Sequence, residues 1–246
     1  MTRMLKGFFP AVLLLTMCSA GVSAQDVGGR AAAELISRGN ERYARAEYEA
    51  AIKVYALVPA GAGEAYAQAL YNIGVCRFEL WQTLEAATMY ARAVEARGGR
   101  YPKASYALGV ALEELGRVAE AREAYARAAD AGPGGAFAPA HYKLGMLAAA
   151  GGDFGRAASH FREAIRRSKG KFPASHNNLG VVLARAGRLP EAEREFAAAL
   201  REAEGPFEEA AHNLKLCRSL LAAGGAGVGG AAALKVAAAA ADGFSR

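Results

Sequence analysis

The sequence is poor in the residues that chemistry needs. It has three cysteines, four histidines and one tryptophan in 246 residues. No CxxC occurs, and no histidine pair sits at i, i+4 with a glutamate, so the usual zinc spacings are missing. There is no phosphate loop with its lysine and no nucleophile elbow. The glycine-rich tract Gly224 to Gly230 follows no strand pattern and carries no Lys-Ser/Thr. The chain is therefore expected to be non-catalytic, with no cofactor and no metal. Charge is not one-sided either: 30 basic against 24 acidic residues give +6. The bases are interleaved with acids, as in Glu191, Glu193, Arg194 and Glu195, which reads as solvated helix faces and excludes a nucleic-acid footprint. No apolar run, the one from Gly7 to Met17 included, is long enough for a stable membrane span.

What is present is one pattern, written five times. Register glycines stand at Gly39, Gly74, Gly109, Gly145 and Gly180, spaced 35, 35, 36 and 35 residues. Twelve residues after each comes a small one: Ala51, Ala86, Ala121, Ala157 and Ala192. Four later stands an aromatic: Tyr55, Tyr90, Tyr125, Phe161 and Phe196. A second small position follows at Val58, Ala93, Ala128, Ala164 and Ala199. A sixth, incomplete copy begins near Glu208, with Leu214 in register but Lys215 in place of the glycine. A fixed period of this size marks a stacked repeat. Each copy holds two apolar stretches at helical spacing, such as Leu108, Leu112 and Leu115, then Val118, Ala121 and Tyr125. Turns separate them at Gly116-Arg117, Gly151-Gly152-Asp153 and Gly187-Arg188. Each copy is thus an antiparallel helix pair. The small residues let the helices approach, and the aromatic is expected to fill the gap between one pair and the next.

Spacing, small residues and aromatics together resemble the tetratricopeptide repeat family, over Ala32 to Leu221. There are departures. The period is 35 rather than 34. The family's tryptophan position is Leu35, Leu70, Ser105, His141 and His176, and Arg38 replaces an expected leucine. The fold class implied is all-α, a right-handed superhelical solenoid of five to six helix-turn-helix repeats. The copies fall near 32–65, 67–100, 102–136, 138–171 and 173–206, with a partial one at 208–221. Proline- and glycine-rich loops punctuate them. The longest, around Ala131 to Gly135, absorbs the single 36-residue spacing, and the stack is expected to run on across it.

The ends read differently. Residues 1–24 have a basic start at Arg3 and Lys6, an apolar run from Gly7 to Met17, and small residues at Val22-Ser23-Ala24. This is the pattern of a secretory signal peptide cleaved after Ala24, followed by a short segment at 25–31. Its loss lowers the formal charge by two, to +4. The alternative is lipid anchoring through Cys18, although Leu15-Thr16-Met17 lack the small residue usual before a lipidated cysteine. Cys76 and Cys217 lie four repeats apart, too far for a disulfide in a stack of helices ~8–10 Å apart. Residues 222–246 begin with a glycine-alanine linker. Ala231 to Ala241 is either a short capping helix or a frayed tail.

Function is expected on the inner face of the stack. In related proteins that face is lined by positions three before, one after and four after the register glycine. Here the first row is Ile36, Tyr71, Tyr106, Tyr142, Asn177 and His212. The second is Asn40, Val75, Val110, Met146, Val181 and Leu216, and the third begins with Tyr43, Phe78 and Glu113. The candidate partner groove is therefore Asn40, Tyr43, Tyr71, Phe78, Tyr106 and Tyr142, with Lys143, Asn177, Asn178 and Arg185 at the far end. Tyrosine offers apolar area with a polar tip, which suits partner contacts. The valine row reads as helix packing. Few lysines and arginines line these positions, so the terminal-carboxylate clamp of the family's chaperone-binding members is not expected. Trp81 stands at a turn, as a local plug or a partner anchor. The expected role is a scaffold for a protein or peptide partner in the bacterial cell envelope. The alternative is a transport subunit holding a small apolar ligand.

Overall fold

The computed structural model describes residues 24–130, 137–223 and 234–235. Among them are eleven α-helices and one 3-10 turn, Ala60–Ala62, with no strand. The helices come in pairs: α1 (Ala24–Ala44) with α2 (Tyr48–Tyr55), α3 (Glu64–Glu79) with α4 (Thr83–Ala96), and α5 (Pro102–Glu114) with α6 (Val118–Ala129). They continue as α7 (Ala138–Ala150) with α8 (Phe154–Arg167), α9 (Pro173–Arg185) with α10 (Leu189–Glu202), and an unpaired α11 (Glu208–Ala222). Each helix packs on the next in sequence, and the first helices α9 and α11 also touch directly, as do α1 and α3. The result is an all-α helical-repeat stack. No helix is long and apolar enough to cross a membrane among the described residues. The proposed leader lies outside them but for Ala24.

The repeat markers meet inside each pair. A Cβ built on Gly109 would lie 2.5 Å from Tyr125 Cε1. The same contact is 2.6 Å for Gly74 on Tyr90, 2.7 Å for Gly145 on Phe161 and 2.6 Å for Gly180 on Phe196. No side chain fits there, so glycine is required by space and not by backbone conformation. The aromatic therefore sits against the glycine of its own copy. This corrects the expectation that it fills the gap between copies, a place taken by other rings described below. Ala86, Ala121, Ala157 and Ala192 are fully buried at the same contacts.

The core is three apolar clusters in series. The first holds Ile36, Tyr55 and Ile73, the second runs from Leu70 to Leu144, and the third from Tyr142 to Leu234. Leu144 of α7 packs in the second cluster, and Tyr106 meets Phe137 at 5.1 Å. Stacking thus carries past the glycine-rich loop, although residues 131–136 themselves lie outside the described ones. Cys76 and Cys217 are buried free thiols, and burial pushes Cys76 up to about 12.

Every turn within a pair closes through one left-handed residue seven positions after the register glycine. These are Ala46, Trp81, Gly116, Gly152 and Gly187, with φ of 57°, 62°, 74°, 79° and 77°. At Trp81 the turn is closed by Trp81 N–H to Phe78 O (3.0 Å) and Gln82 N–H to Arg77 O (2.9 Å). The indole is 73% exposed, so it does not plug the turn. A left-handed backbone costs a residue with a Cβ about 1–2 kcal/mol, partly offset in glycine by its larger unfolded-state entropy. Trp81→Gly is therefore expected to raise stability by about 1 kcal/mol. An upward shift of the urea midpoint would show it; a fall would mean that indole contacts outweigh backbone strain.

Candidate partner-binding groove

The tyrosine row lies in the core. Tyr71 is sandwiched between Tyr90 and Tyr101, both at 5.7 Å. Tyr106 lies between Tyr125 (5.5 Å) and Phe137 (5.1 Å), and Tyr142 between Phe161 (5.9 Å) and Phe172 (5.2 Å). Each therefore bridges the second helix of its own copy and the residue that starts the next copy. Only 3–9% of these three residues is exposed. Most of the ring surface assigned above to a partner is occupied by neighbouring rings, because this position points between copies; Tyr71 alone of the three also borders the pocket described next. Phe78 is likewise buried. Arg185 stacks over Phe154 at 6.0 Å.

Polar side chains lie along the inner face in three groups. At the first end, Asn40 Oδ1 accepts from Tyr55 OH (2.7 Å) and from Asn72 Nδ2 (3.2 Å). With Tyr43, Tyr71, Val75 and Lys103 these residues surround an open pocket of about 200 Å³. Burial, and then Glu79, raise the Tyr43 phenol to about 12. At the middle, Glu113 accepts from Tyr125 OH (2.7 Å) and from Lys143 Nζ (3.0 Å).

At the far end the repeat pattern breaks. Asn177 occupies the position that holds tyrosine in the three preceding copies. Asn177, Asn178 and Asn213 are almost fully buried. Asn178 Nδ2 donates to Tyr142 OH (3.0 Å) and lies 3.2 Å from Met146 Sδ. Asn177 Nδ2 donates to Asn178 Oδ1 (3.1 Å), and Asn213 Nδ2 donates to Asn177 Oδ1 (2.8 Å). The row ends on main chain. Lys235 N–H donates to Asn213 Oδ1 at 2.7 Å. Lys235 O accepts from Asn213 Nδ2 at 2.7 Å and from Asn177 Nδ2 at 3.1 Å. A carboxamide carries both a donor and an acceptor, so Asn213 matches one residue's N–H and C=O together. Both groups of a residue point the same way only in extended backbone.

Asn72 and Asn213 were not among the sequence candidates. A signal existed: Asn72, Asn178 and Asn213 each stand two residues before a register position, 74, 180 and 215. Leu234 and Lys235 are the described part of the segment expected to cap the stack or fray. Here they are not helical, and they lie against α9 and α11. The rest of that segment is outside the described residues.

His141, His160 and His176 are packed within their own copies, and His212 is exposed. His141 Nδ1 lies 3.4 Å from His160 Nδ1, and burial lowers both imidazoles below their ordinary range. His176 pairs with Glu195 (2.7 Å) and Glu202 (3.3 Å). No group of three or more histidine, cysteine or acidic residues suited to a metal occurs among the described residues.

Comparison with known proteins agrees with this architecture. The tetratricopeptide repeat profile matches residues 82–136 and 142–209, half of the sequence. The chain belongs to the tetratricopeptide repeat family. Among solved structures it is similar to PilF of Pseudomonas aeruginosa, with 18% identity, 85% of this chain and 90% of that one covered, and a TM-score of 0.63. It is similar to a MamA protein, with 21% identity, coverage of 71% and 92%, and a TM-score of 0.57. It is also similar to YrrB, described as a repeat protein of this family with an unusual peptide-binding site, at 23% identity, coverage of 78% and 99%, and a TM-score of 0.56. At these identities the likeness is one of fold. No curated protein matches the sequence. Proteins with this fold are in general interaction scaffolds that bind protein or peptide partners.

Proposed function

We propose that this chain is an exported, non-catalytic scaffold that holds an extended segment of a protein partner along its inner face, in the cell envelope of a bacterium. The observation that carries the reading is the row of carboxamides Asn178, Asn177 and Asn213, which ends in a matched pair of hydrogen bonds to one residue's main chain. Such a site reads backbone, which any extended peptide supplies, and leaves specificity to side-chain pockets. Export rests on the leader-like residues 1–24. A small apolar ligand held in the tyrosine-lined pocket fits less well. The pocket at Asn40 is open, polar on several sides and, at about 200 Å³, below the ~300–1,000 Å³ of ordinary small-molecule sites.

The test is site-specific photocrosslinking in a bacterial host, with a benzophenone side chain at Val110 on the half-buried inner row. A discrete protein adduct in the envelope fraction, lost on Asn178→Ala, is expected. Adducts found only in the cytoplasm would overturn the envelope assignment. Adducts indifferent to Asn178→Ala, or none at all, would overturn the groove.

A further inference from the structure

The residue held by the asparagine row belongs to the chain itself. Lys235 lies 22 residues beyond Asn213 and 58 beyond Asn177, past the last described helix. Its contacts are those of a guest. The side chain of Lys235 is exposed, while its N–H and C=O are both taken by Asn213. The neighbouring Leu234 is only 5% exposed and joins the apolar cluster of Tyr142, Val181 and Cys217. The segment is thus recognised by main chain at one residue and by an apolar side chain at the residue before. Fixed elements of this fold contact one another through helix faces; here extended backbone is read by side-chain amides.

We propose that Leu234-Lys235 is a built-in occupant of the far end of the partner groove, and that a partner binds there by displacing it. The inference rests on the groove reading above and adds to it the regulation of the site and the chemistry of its guest. The guest is an extended peptide with a leucine-like residue followed by a residue of any side chain except proline, since proline has no N–H for Asn213 to accept. Asn177 makes the site possible. A tyrosine there, as in the three copies before, would present no amide. A tethered segment competes at an effective concentration in the millimolar range for short flexible connections. A free peptide of modest affinity therefore sees a groove that is mostly filled, and its apparent affinity falls by the vacant fraction.

The experiment uses the full chain and a release variant, Leu234→Asp with Lys235→Pro, which lies outside the eleven described helices. The probe is a fluorescein-labelled peptide with the sequence of residues 229–239, GGAAALKVAAA. Three results are expected. The Lys235 amide is protected from hydrogen exchange in the wild type, and Asn213→Ala removes that protection. The probe binds the release variant at least about tenfold more tightly than the wild type, as expected for a millimolar tether. Adding Asn213→Ala to the release variant abolishes that binding, with the thermal melt confirming that the stack is intact. Should Asn213→Ala disturb the melt, Asn177→Ala replaces it in the same comparison.

Equal, asparagine-dependent binding to wild type and release variant would overturn self-occupancy and leave the groove reading standing. A protected Lys235 amide with no probe binding to the release variant would make the segment a fixed cap, which overturns the inference. An unprotected amide in the wild type would overturn it directly. A wild type that dimerises through its C-terminal segment, with release restoring a monomer, would place the occupant in a second copy and overturn the version within one chain. The groove reading itself falls only with the crosslinking result.

Discussion

Gly109→Val is expected to leave much of the stack unfolded under conditions where the wild type is stable. The Cβ of any residue at 109 would lie 2.5 Å from Tyr125 Cε1 and 2.6 Å from Cδ1. The ring has nowhere to go. It is fully buried, its face meets Tyr106 at 5.5 Å, and its hydroxyl donates to Glu113 at 2.7 Å. Either the ring loses these contacts or α5 and α6 separate. Overpacking of this kind costs about 1–3 kcal/mol for a single methylene and more for a branched side chain at a helix contact, so about 3 kcal/mol or more is expected. Domains of this size have about 5–15 kcal/mol in total. Urea unfolding followed by far-UV circular dichroism measures it. Tyr125→Val introduced alongside should return part of the loss by vacating the space. A cost under about 1 kcal/mol for Gly109→Val would show that the contact yields easily.

The second large effect concerns cooperativity. Phe161 is fully buried and lies against Gly145 and Tyr142, where the third apolar cluster begins. Phe161→Ala is expected to cost about 3–5 kcal/mol. In a stack each copy contacts only its neighbours, so damage at one junction uncouples what lies on either side. Unfolding should then split. Fluorescence of Trp81, the single tryptophan, reports the N-terminal copies, and circular dichroism reports all helices. In wild type the two curves are expected to coincide. In Phe161→Ala the dichroism should begin to fall at lower urea while the Trp81 transition stays near its original midpoint. Coincident curves in the variant would argue for one indivisible core.

On the proposed reading, a scaffold gains from a groove that is filled until a partner arrives. An open row of carboxamides beside apolar surface would take up any extended chain. A guest supplied by the same polypeptide raises the threshold to peptides that offer both the backbone and the apolar side chain. The middle of the groove uses a different device: Glu113 and Lys143 pair at 3.0 Å. That pair is only partly buried, so salt still weakens it. The groove is thus apolar and amide-lined at its far end, charged in its middle, and open at Asn40.

Part of this could be read from the sequence and part could not. The helices and their pairing follow from markers at a 35-residue period, because each copy touches only its neighbours and every contact repeats, whereas the seat of each aromatic on the glycine of its own copy came from the structure. Gly74, Gly109, Gly145 and Gly180 declare a close approach, and the approach is there. The groove was less legible. Tyr71, Tyr106 and Tyr142 share a helical position with residues that line grooves, but whether such a ring faces outward depends on what starts the next copy. Here Tyr101, Phe137 and Phe172 stand at those starts and cover the rings. Nor could periodicity announce Asn213. It lies in a copy that shows no second helix among the described residues, and its meaning comes from a main-chain group 22 residues away in a segment with no repeat markers. Local and nearest-neighbour contacts leave a periodic trace in the chain. A single long-range contact leaves none, and only the folded arrangement puts Asn177, Asn213 and Lys235 together.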